Sequence, residues 1–305
     1  MGNIIISGIT GFMGLNLKQY LNKDYTITGL SRTENKTQNI LNYQNIDSNT
    51  LDNYFAFIHL AGKAHDLKNT SDDSVYTEVN TDLTIKLFDL FLESKCEIFV
   101  FMSTVKAIAD TVEGVLTEDS VANPKTVYGK SKRAAEEYIL SQKLPESKKV
   151  YILRPCMVHG PNNKGNLNLL YKIIKKGLPY PLGSFDNKRS FLSIDNLCYS
   201  IKQLLLLKPE EKCFQLADDK PISTNNLVSI IAKTINKPVR ILKLPKFMIH
   251  TLASLGDFLS LPIDSDKLGK LTDNYVVSNI KITSVIGPMP TTTEDGITRT
   301  IQSFL

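Results

Sequence analysis

The sequence predicts an α/β protein built on a doubly wound parallel sheet, with a smaller second region laid against it. Three observations carry the prediction. Apolar runs without polar alternation recur at residues 3–7, 25–30, 55–60, 97–103 and 149–154, as strands buried on both faces read. Helical patterns separate them, and a βαβαβ order with short right-handed crossovers closes into a parallel sheet. Glycines stand at positions 8, 11 and 14, between the first strand and the first helix.

Each element follows in order. Asn3-Ile4-Ile5-Ile6-Ser7 opens the sheet, and a helical stretch runs to about Leu21. After the second strand, residues 32–50 are polar and rich in Asn and Thr, hence loop-like. A long helix is predicted over 74–94, a turn-rich polar segment over 110–127 and a strong helix over 128–143. Proline and glycine cluster at 155–165 and 177–183. A helix begins near Asp195, read as its N-cap, before a strand at 213–217 and a helix at 224–236. Helix 246–260 is amphipathic and basic-flanked, and packing on the second region or on a partner is preferred over membrane-surface docking. Residues 1–155 thus read as one domain and 156–305 as a second, with 195–217 returning to the first sheet.

Composition narrows the partners. The formal charge is +5, from 36 Lys and Arg against 31 Asp and Glu. That surplus is too diffuse for a nucleic-acid footprint and suits a small anionic ligand. Cys96, Cys156, Cys198 and Cys213 form no CxxC pair, and His59, His65, His159 and His250 have no metal-ligand spacing, so no metal is expected. No secretory leader pattern and no apolar run of ~20 residues is present, which points to a cytoplasmic chain without an integral membrane segment.

Gly8-Ile9-Thr10-Gly11-Phe12-Met13-Gly14 is a GxxGxxG between strand and helix. One glycine makes the tight turn, one lets the backbone approach a pyrophosphate and one packs helix on strand. The helix N-terminus then offers free N–H groups to the anion. This is a Rossmann dinucleotide loop, with Phe12 and Met13 counted among its residues. The end of the second strand carries Ser31-Arg32, where NAD-specific folds place a carboxylate for the ribose hydroxyl. A hydroxyl and a guanidinium favour NADP(H), with NAD(H) the alternative.

Tyr128-Gly129-Lys130-Ser131-Lys132 is a YxxxK at the start of a helix, placing phenol and ammonium one turn apart on one face. A nearby ammonium is expected to lower the phenol's pKa, so that tyrosine exchanges a proton with a carbinol or carbonyl oxygen during hydride transfer. The third member belongs at the end of the fourth strand, where Thr104 is the first choice and Ser103 the second. A non-catalytic dinucleotide sensor is the competing class, and retention of both Tyr128 and Lys132 argues against it.

Taken together, these residues resemble the extended short-chain dehydrogenase/reductase family, the NAD(P)-dependent nucleotide-sugar epimerases and dehydratases. His59-Leu60-Ala61-Gly62, Val79-Asn80, Ser103-Thr104, Tyr128-x-x-x-Lys132, Arg154-Pro155 and Val158-His159-Gly160-Pro161-Asn162 fall in family order. So do Gly165-Asn166-Leu167, Pro181-Leu182-Gly183 and Asn187-Lys188-Arg189-Ser190-Phe191. The resemblance implies that Leu60, Ala61 and Gly62 line the dinucleotide and that Asn80 steadies the backbone beside it. It implies that Pro155 and Val158 border the nicotinamide, that Met157 and Asn166 face the sugar, and that Arg189 meets a nucleotide diphosphate. It also implies a UDP-sugar substrate and a homodimer through helices 80–94 and 128–143. The nearest subgroup acts on UDP-N-acetylhexosamines in surface-polysaccharide synthesis. Ser31-Arg32 tilts the choice toward a 4-reductase of a UDP-4-keto-6-deoxy-N-acetylhexosamine, with a 4-epimerase retaining NAD as the alternative. Lys106-Ala107-Ile108-Ala109 and His159 depart from the family pattern at places expected to border the sugar.

Overall fold

A computed structural model describes residues 2–64, 72–161, 163, 166–259 and 265–305. Its strands are β1 (Asn3–Ser7), β2 (Thr26–Ser31), β3 (Ile40–Asn42), β4 (Ala56–His59), β5 (Ile98–Met102), β6 (Val115–Leu116), β7 (Lys149–Pro155), β8 (Met157–His159), β9 (Phe191–Ser193), β10 (Cys213–Leu216) and β11 (Val276–Val277). Its helices are α1 (Phe12–Leu21), α2 (Ser48–Leu51), α3 (Asp73–Thr77), α4 (Leu83–Glu93), α5 (Val127–Ser141), α6 (Asn166–Lys175), α7 (Ile194–Leu207), α8 (Thr224–Thr234), α9 (Lys246–Leu259), α10 (Ser265–Thr272), α11 (Ile280–Ile286) and α12 (Thr293–Gln302). Seven strands form one parallel sheet in the order β10-β7-β5-β4-β1-β2-β3. The chain runs outward from β1 to β3, then crosses back to β4 on the other side. The crevice beyond the ends of β1 and β4 is therefore the switch point where such sheets take ligands.

The β1 side chains explain the two-sided burial. Ile4 and Ile6 join a core with Leu17 of α1 and Leu197 and Ile201 of α7. Ile5 faces the opposite core, with Phe88 of α4 and Ala135 of α5. A separate core in the second region joins Leu167, Tyr171, Val228, Ile231, Ile249 and Ile297. β10 returns to pair with β7, in parallel.

Four details differ from the sequence expectation. Residues 32–50 contain β3, because Ile40 and Leu41 give too short an apolar run to show a period. The polar stretch 110–127 contains β6, which pairs with β11 from far along the chain. The helix over 74–94 is interrupted by a π turn at Glu78–Asp82. Ser193, not Asp195, caps α7: Ser193 is extended and accepts from Asn196 N. Asp195 already lies in the first turn, where it pairs with Arg299 at 2.9 Å.

One buried hydrogen-bond chain ties the sheet to α5. Ala61 N donates to Ser7 Oγ at 3.2 Å, and Ser7 Oγ lies 2.6 Å from His59 Nδ1. His59 Nε2 lies 2.9 Å from Thr84 Oγ1, which donates to Asn80 O at 2.8 Å. The threonine's proton is thus engaged, so Nε2 carries the imidazole proton and Nδ1 accepts from Ser7. Asn80 Nδ2 then donates to Ser131 Oγ at 3.0 Å, and Ser131 Oγ to Tyr128 O at 2.9 Å. His59 is a fully buried structural histidine, not an open ligand.

Burial, with the Lys132 charge adding to it, pushes the His59 pKa down to about 3 from an ordinary 6.5. Between those values the unfolded chain binds a proton that the native chain does not, so stability falls as pH drops from 6.5 toward 3. A His59→Asn variant should lose about 1–3 kcal/mol at pH 7, because buried partners are left unpaired. Its melting temperature should fall less than the parent's between pH 7 and pH 5, which calorimetry at the two values checks.

Candidate active site

The glycine loop fits a dinucleotide phosphate. Gly8 has φ +69°, and a Cβ there would meet Ala61 N at 2.8 Å. A Cβ on Gly14 would strike Gly8 O at 2.3 Å, so helix and loop pack as closely as backbone allows. The cap of α1 is Gly11, which offers no side chain, and the first turn holds no acidic residue. The amide groups of Phe12, Met13 and Gly14 thus face outward unclaimed by a cap and with the positive end of the helix dipole behind them. Leu60, Ala61 and Gly62 continue from the end of β4 beside this loop. A Cβ on Gly62 would lie 3.0 Å from both Lys132 Nζ and Asn80 Oδ1, so this glycine admits the lysine.

Ser31 and Arg32 border a cleft of about 280 Å³ with Thr10, Asn35, Gln38 and Glu34. Arg32 is exposed on this cleft. Ser31 Oγ closes a local turn, donating to Thr33 O at 2.6 Å and accepting from Thr33 N at 3.2 Å. Tyr43, which no sequence motif marked, lies beside Gly8, Ser7 and Arg32.

Tyr128 and Thr104 are brought together: the threonine hydroxyl lies close enough to the phenol to favour its ionised form. Burial nevertheless raises the Tyr128 pKa; the Thr104 hydroxyl opposes this and nearby Tyr76 adds to it. That direction corrects the expectation from YxxxK alone. The reason is the burial of the phenol; Lys132 is buried as well, its Nζ donating to Met102 O at 2.8 Å and sitting 4.6 Å over the Phe101 ring. Burial pushes the Lys132 pKa down to about 7, and Glu136 one turn on pulls it up. Ser103 points elsewhere, donating to Glu136 Oε1 at 2.5 Å. Arg154 holds the same carboxylate through Nε at 2.9 Å and Nη2 at 2.8 Å. Glu136 is completely buried and is the charge that sequence reading missed. Its position one turn beyond Lys132 was the available signal.

Asn80 accepts from Lys63 N at 2.8 Å and donates to Lys63 O at 3.0 Å. Its π turn turns the side chain into this bridge. Lys63 Nζ lies 5.3 Å over the ring of Tyr76.

On the far side, Pro155 ends β7, and β8 carries Met157 and Val158. Arg189 is held by backbone bonds to Ile222, 2.9 Å from N and 3.0 Å to O. Burial lowers its pKa, opposed by the charges of Asp273, Tyr275, Cys156 and Tyr180 around it. Arg189 therefore lies within electrostatic reach of Cys156, the residue before Met157. The side chain of Asn166, and His65, Asn162 and Gly165, lie outside the described residues. His159 is buried, with Nδ1 2.9 Å from Thr300 Oγ1 and Nε2 3.6 Å from Asp218 Oδ2. The β8–β9 pairing turns its ring inward. Among the described residues no cluster of His, Cys, Asp or Glu could hold a metal, and no helix is long and apolar enough to cross a membrane.

Residues 4–212 match the family model described as NAD dependent epimerase/dehydratase family. The chain belongs to that family. It is an enzyme of the extended short-chain dehydrogenase/reductase class. A UDP-glucose 4-epimerase of Vibrio cholerae is 32% identical over 99% of this chain and 95% of its own length. The N-acetyl-alpha-D-glucosaminyl-diphospho-ditrans,octacis-undecaprenol 4-epimerase of Escherichia coli O157:H7 is 26% identical over 92% of this chain and 84% of its own. Among solved structures, a UDP-glucuronic acid 4-epimerase from Bacillus cereus in complex with NAD has a TM-score of 0.75 at 20% identity, covering 99% of this chain and 98% of that one. RMD from Pseudomonas aeruginosa complexed with NADPH has a TM-score of 0.72 at 19% identity, covering 99% and 98%. The two likenesses support the fold of this dehydrogenase/reductase.

Replacing Glu136 by Gln should test how this enzyme controls Lys132. Arg154 would keep a buried charge without its counterion, a loss on the order of 3 kcal/mol. The Lys132 pKa should fall further, so the ammonium is lost earlier as pH rises and the alkaline limb of the activity profile moves to lower pH. Denaturant titration reads the first effect and a pH–rate series the second.

Proposed function

We propose that this enzyme moves hydride and proton at C4 of a UDP-linked sugar with a nicotinamide dinucleotide. The observation that carries this reading is the Thr104–Tyr128 hydroxyl pair at the end of β5, one helical turn from buried Lys132, which packs against Gly62. When bound, the nicotinamide supplies the hydride acceptor or donor. Gly8, Gly11, Phe12, Met13 and Gly14 would hold its phosphates, and Leu60, Ala61, Gly62 and Asn80 would line its path. Tyr128 would pass a proton to or from the C4 oxygen, while Thr104 holds that oxygen against the phenol. A phenol kept protonated by burial is in the form that donates to a carbonyl. Lys132, poised near neutrality, lowers the cost of the phenolate when the reaction runs the other way. Pro155, Met157 and Val158 would border the reacting ring, with Asn166 and Arg189 on the sugar nucleotide. The planar guanidinium of Arg189 suits diphosphate oxygens. Residues 156–305 are read as the substrate domain, and the outer faces of α4 and α5 as the contact of a homodimer. A micromolar sample sedimenting as a monomer overturns that last point. The same reading places the enzyme in the cytoplasm.

Two outcomes share this machinery. The relatives' names favour 4-epimerisation with retained NAD. Exposed Arg32 on the cleft at the end of β2 favours NADP(H), and with it reduction of a UDP-4-keto-6-deoxy-N-acetylhexosamine. Incubation with NADPH or NADH and a panel of UDP-4-keto sugars, UDP-hexoses and a polyprenyl-diphosphate sugar separates them. Loss of reduced-nicotinamide absorbance with keto sugars supports the reductase, and interconversion without net cofactor change supports the epimerase. A strong NADH preference removes the case for Arg32. Tyr128→Phe should cut turnover by about 10²–10⁴ and spare cofactor binding; full activity in that variant overturns the mechanism.

A further inference from the structure

Helix α9 has two apolar faces, and only one is used. Ile249 and Ala253 are buried against the second core. The opposite side presents Phe247, Met248, Leu252 and Leu255, which are 71%, 45%, 60% and 48% exposed. Met248, Leu252 and Leu255 stand at i, i+4 and i+7, one continuous stripe along the helix. Val239, Leu242 and Leu271 are exposed as well.

The helix is firmly seated. The segment before it is pinned to residues 180–184 by Tyr180 N to Arg240 O, Leu242 N to Tyr180 O and Gly183 N to Leu242 O, at 2.8, 2.8 and 3.0 Å. Ser184 Oγ donates to Leu244 O at 2.6 Å, and the His250 ring packs on Phe185 with centroids 5.7 Å apart. The exposed stripe is thus a fixed feature of the surface. Contiguous apolar surface of this kind marks an interaction site.

The charge around the stripe selects the partner. From Lys220 to Gly256 the sequence has no carboxylate, whereas Lys233, Lys237, Arg240, Lys243 and Lys246 all fall within it. These five side chains are exposed. We propose that the outer face of α9 docks this enzyme on an anionic lipid bilayer, with the leucine stripe among the acyl chains and the basic flank on the headgroups. An apolar face rimmed by Lys and Arg is the pattern of an interfacial helix. A two-fold contact with a second copy would set the same basic flanks near one another, which disfavours that occupant. The docking is peripheral, since no helix among the described residues can cross a membrane. It holds whichever sugar the enzyme uses.

Co-sedimentation of the full chain with phosphatidylcholine vesicles, with and without phosphatidylglycerol, tests the proposal. Partition onto the anionic vesicles should exceed that onto the neutral ones by about tenfold at low salt and fall at high salt. The double variant Leu252→Glu, Leu255→Glu should lower it by at least about tenfold with an unchanged melting temperature. If that variant does not fold, Lys243→Glu, Lys246→Glu replaces it, with the same expected loss. Failure of the parent to bind anionic vesicles, or binding by the folded variant equal to the parent's, overturns the proposal. So does sedimentation showing that the variant only splits an oligomer, which would make the stripe a contact between copies.

Discussion

The end of a buried parallel sheet poses a problem that the rest of this structure depends on solving. Ser7 and His59 lie at the ends of adjacent central strands, fully buried, where every polar atom needs a partner. The directed chain from Ala61 through Ser7, His59, Thr84, Asn80 and Ser131 to the Tyr128 carbonyl supplies them. Its ends are the cofactor side and the catalytic helix. Each donor is used once, so shifting one member leaves a buried group unpaired at about 1–3 kcal/mol. The glycine loop and the helix that carries Tyr128 are thereby held in one register.

A second constraint is charge. Lys132 and Arg154 are both buried, and Glu136 lies near both of them. A buried ion pair contributes little net stability, but removing one partner is costly because the other charge remains. The triad of Ser103, Glu136 and Arg154 therefore reads as a fixed electrostatic boundary behind the active helix. Burial, against the upward pull of Glu136, brings the Lys132 pKa down to about 7, where small changes in surroundings decide its protonation.

Much of this was legible in the sequence because it rests on local rules. GxxGxxG at a strand–helix junction, YxxxK at a helix start and unbroken β-branched runs each encode geometry within a few residues. What escaped depends on partners far along the chain. Ser103 reads as a catalytic alternative until Glu136, on another element, claims its hydroxyl. His159 reads as a pocket residue until Thr300 and Asp218 enclose it. The π turn at Glu78–Asp82 leaves no mark in a helical period. Asp195 satisfied the composition rule for a cap, but the extended backbone of Ser193 decided the matter. The direction of the Tyr128 shift likewise needed the burial of the phenol.

The second region is joined to the sheet through polar contacts of the same kind, and this bears on specificity. Asp218, just beyond β10, accepts from Ser193 N at 2.9 Å and from Asn196 Nδ2 at 2.6 Å. Asn196 in turn bonds both the carbonyl and the amide of Thr291, at 2.7 and 3.0 Å. Tyr275 Oη reaches across to Ala109 O at 2.6 Å, while its backbone carbonyl accepts from Ser190 N, next to Arg189, at 2.9 Å. Arg189 and the loop after β5 are thus members of one bonded unit. A substrate held by that arginine would meet Thr104 and Tyr128 at a distance set by the protein instead of by the ligand. Discrimination between sugars would then come from what fits between two fixed walls, at about 1–3 kcal/mol for a missing apolar contact and more where a buried polar group loses its partner.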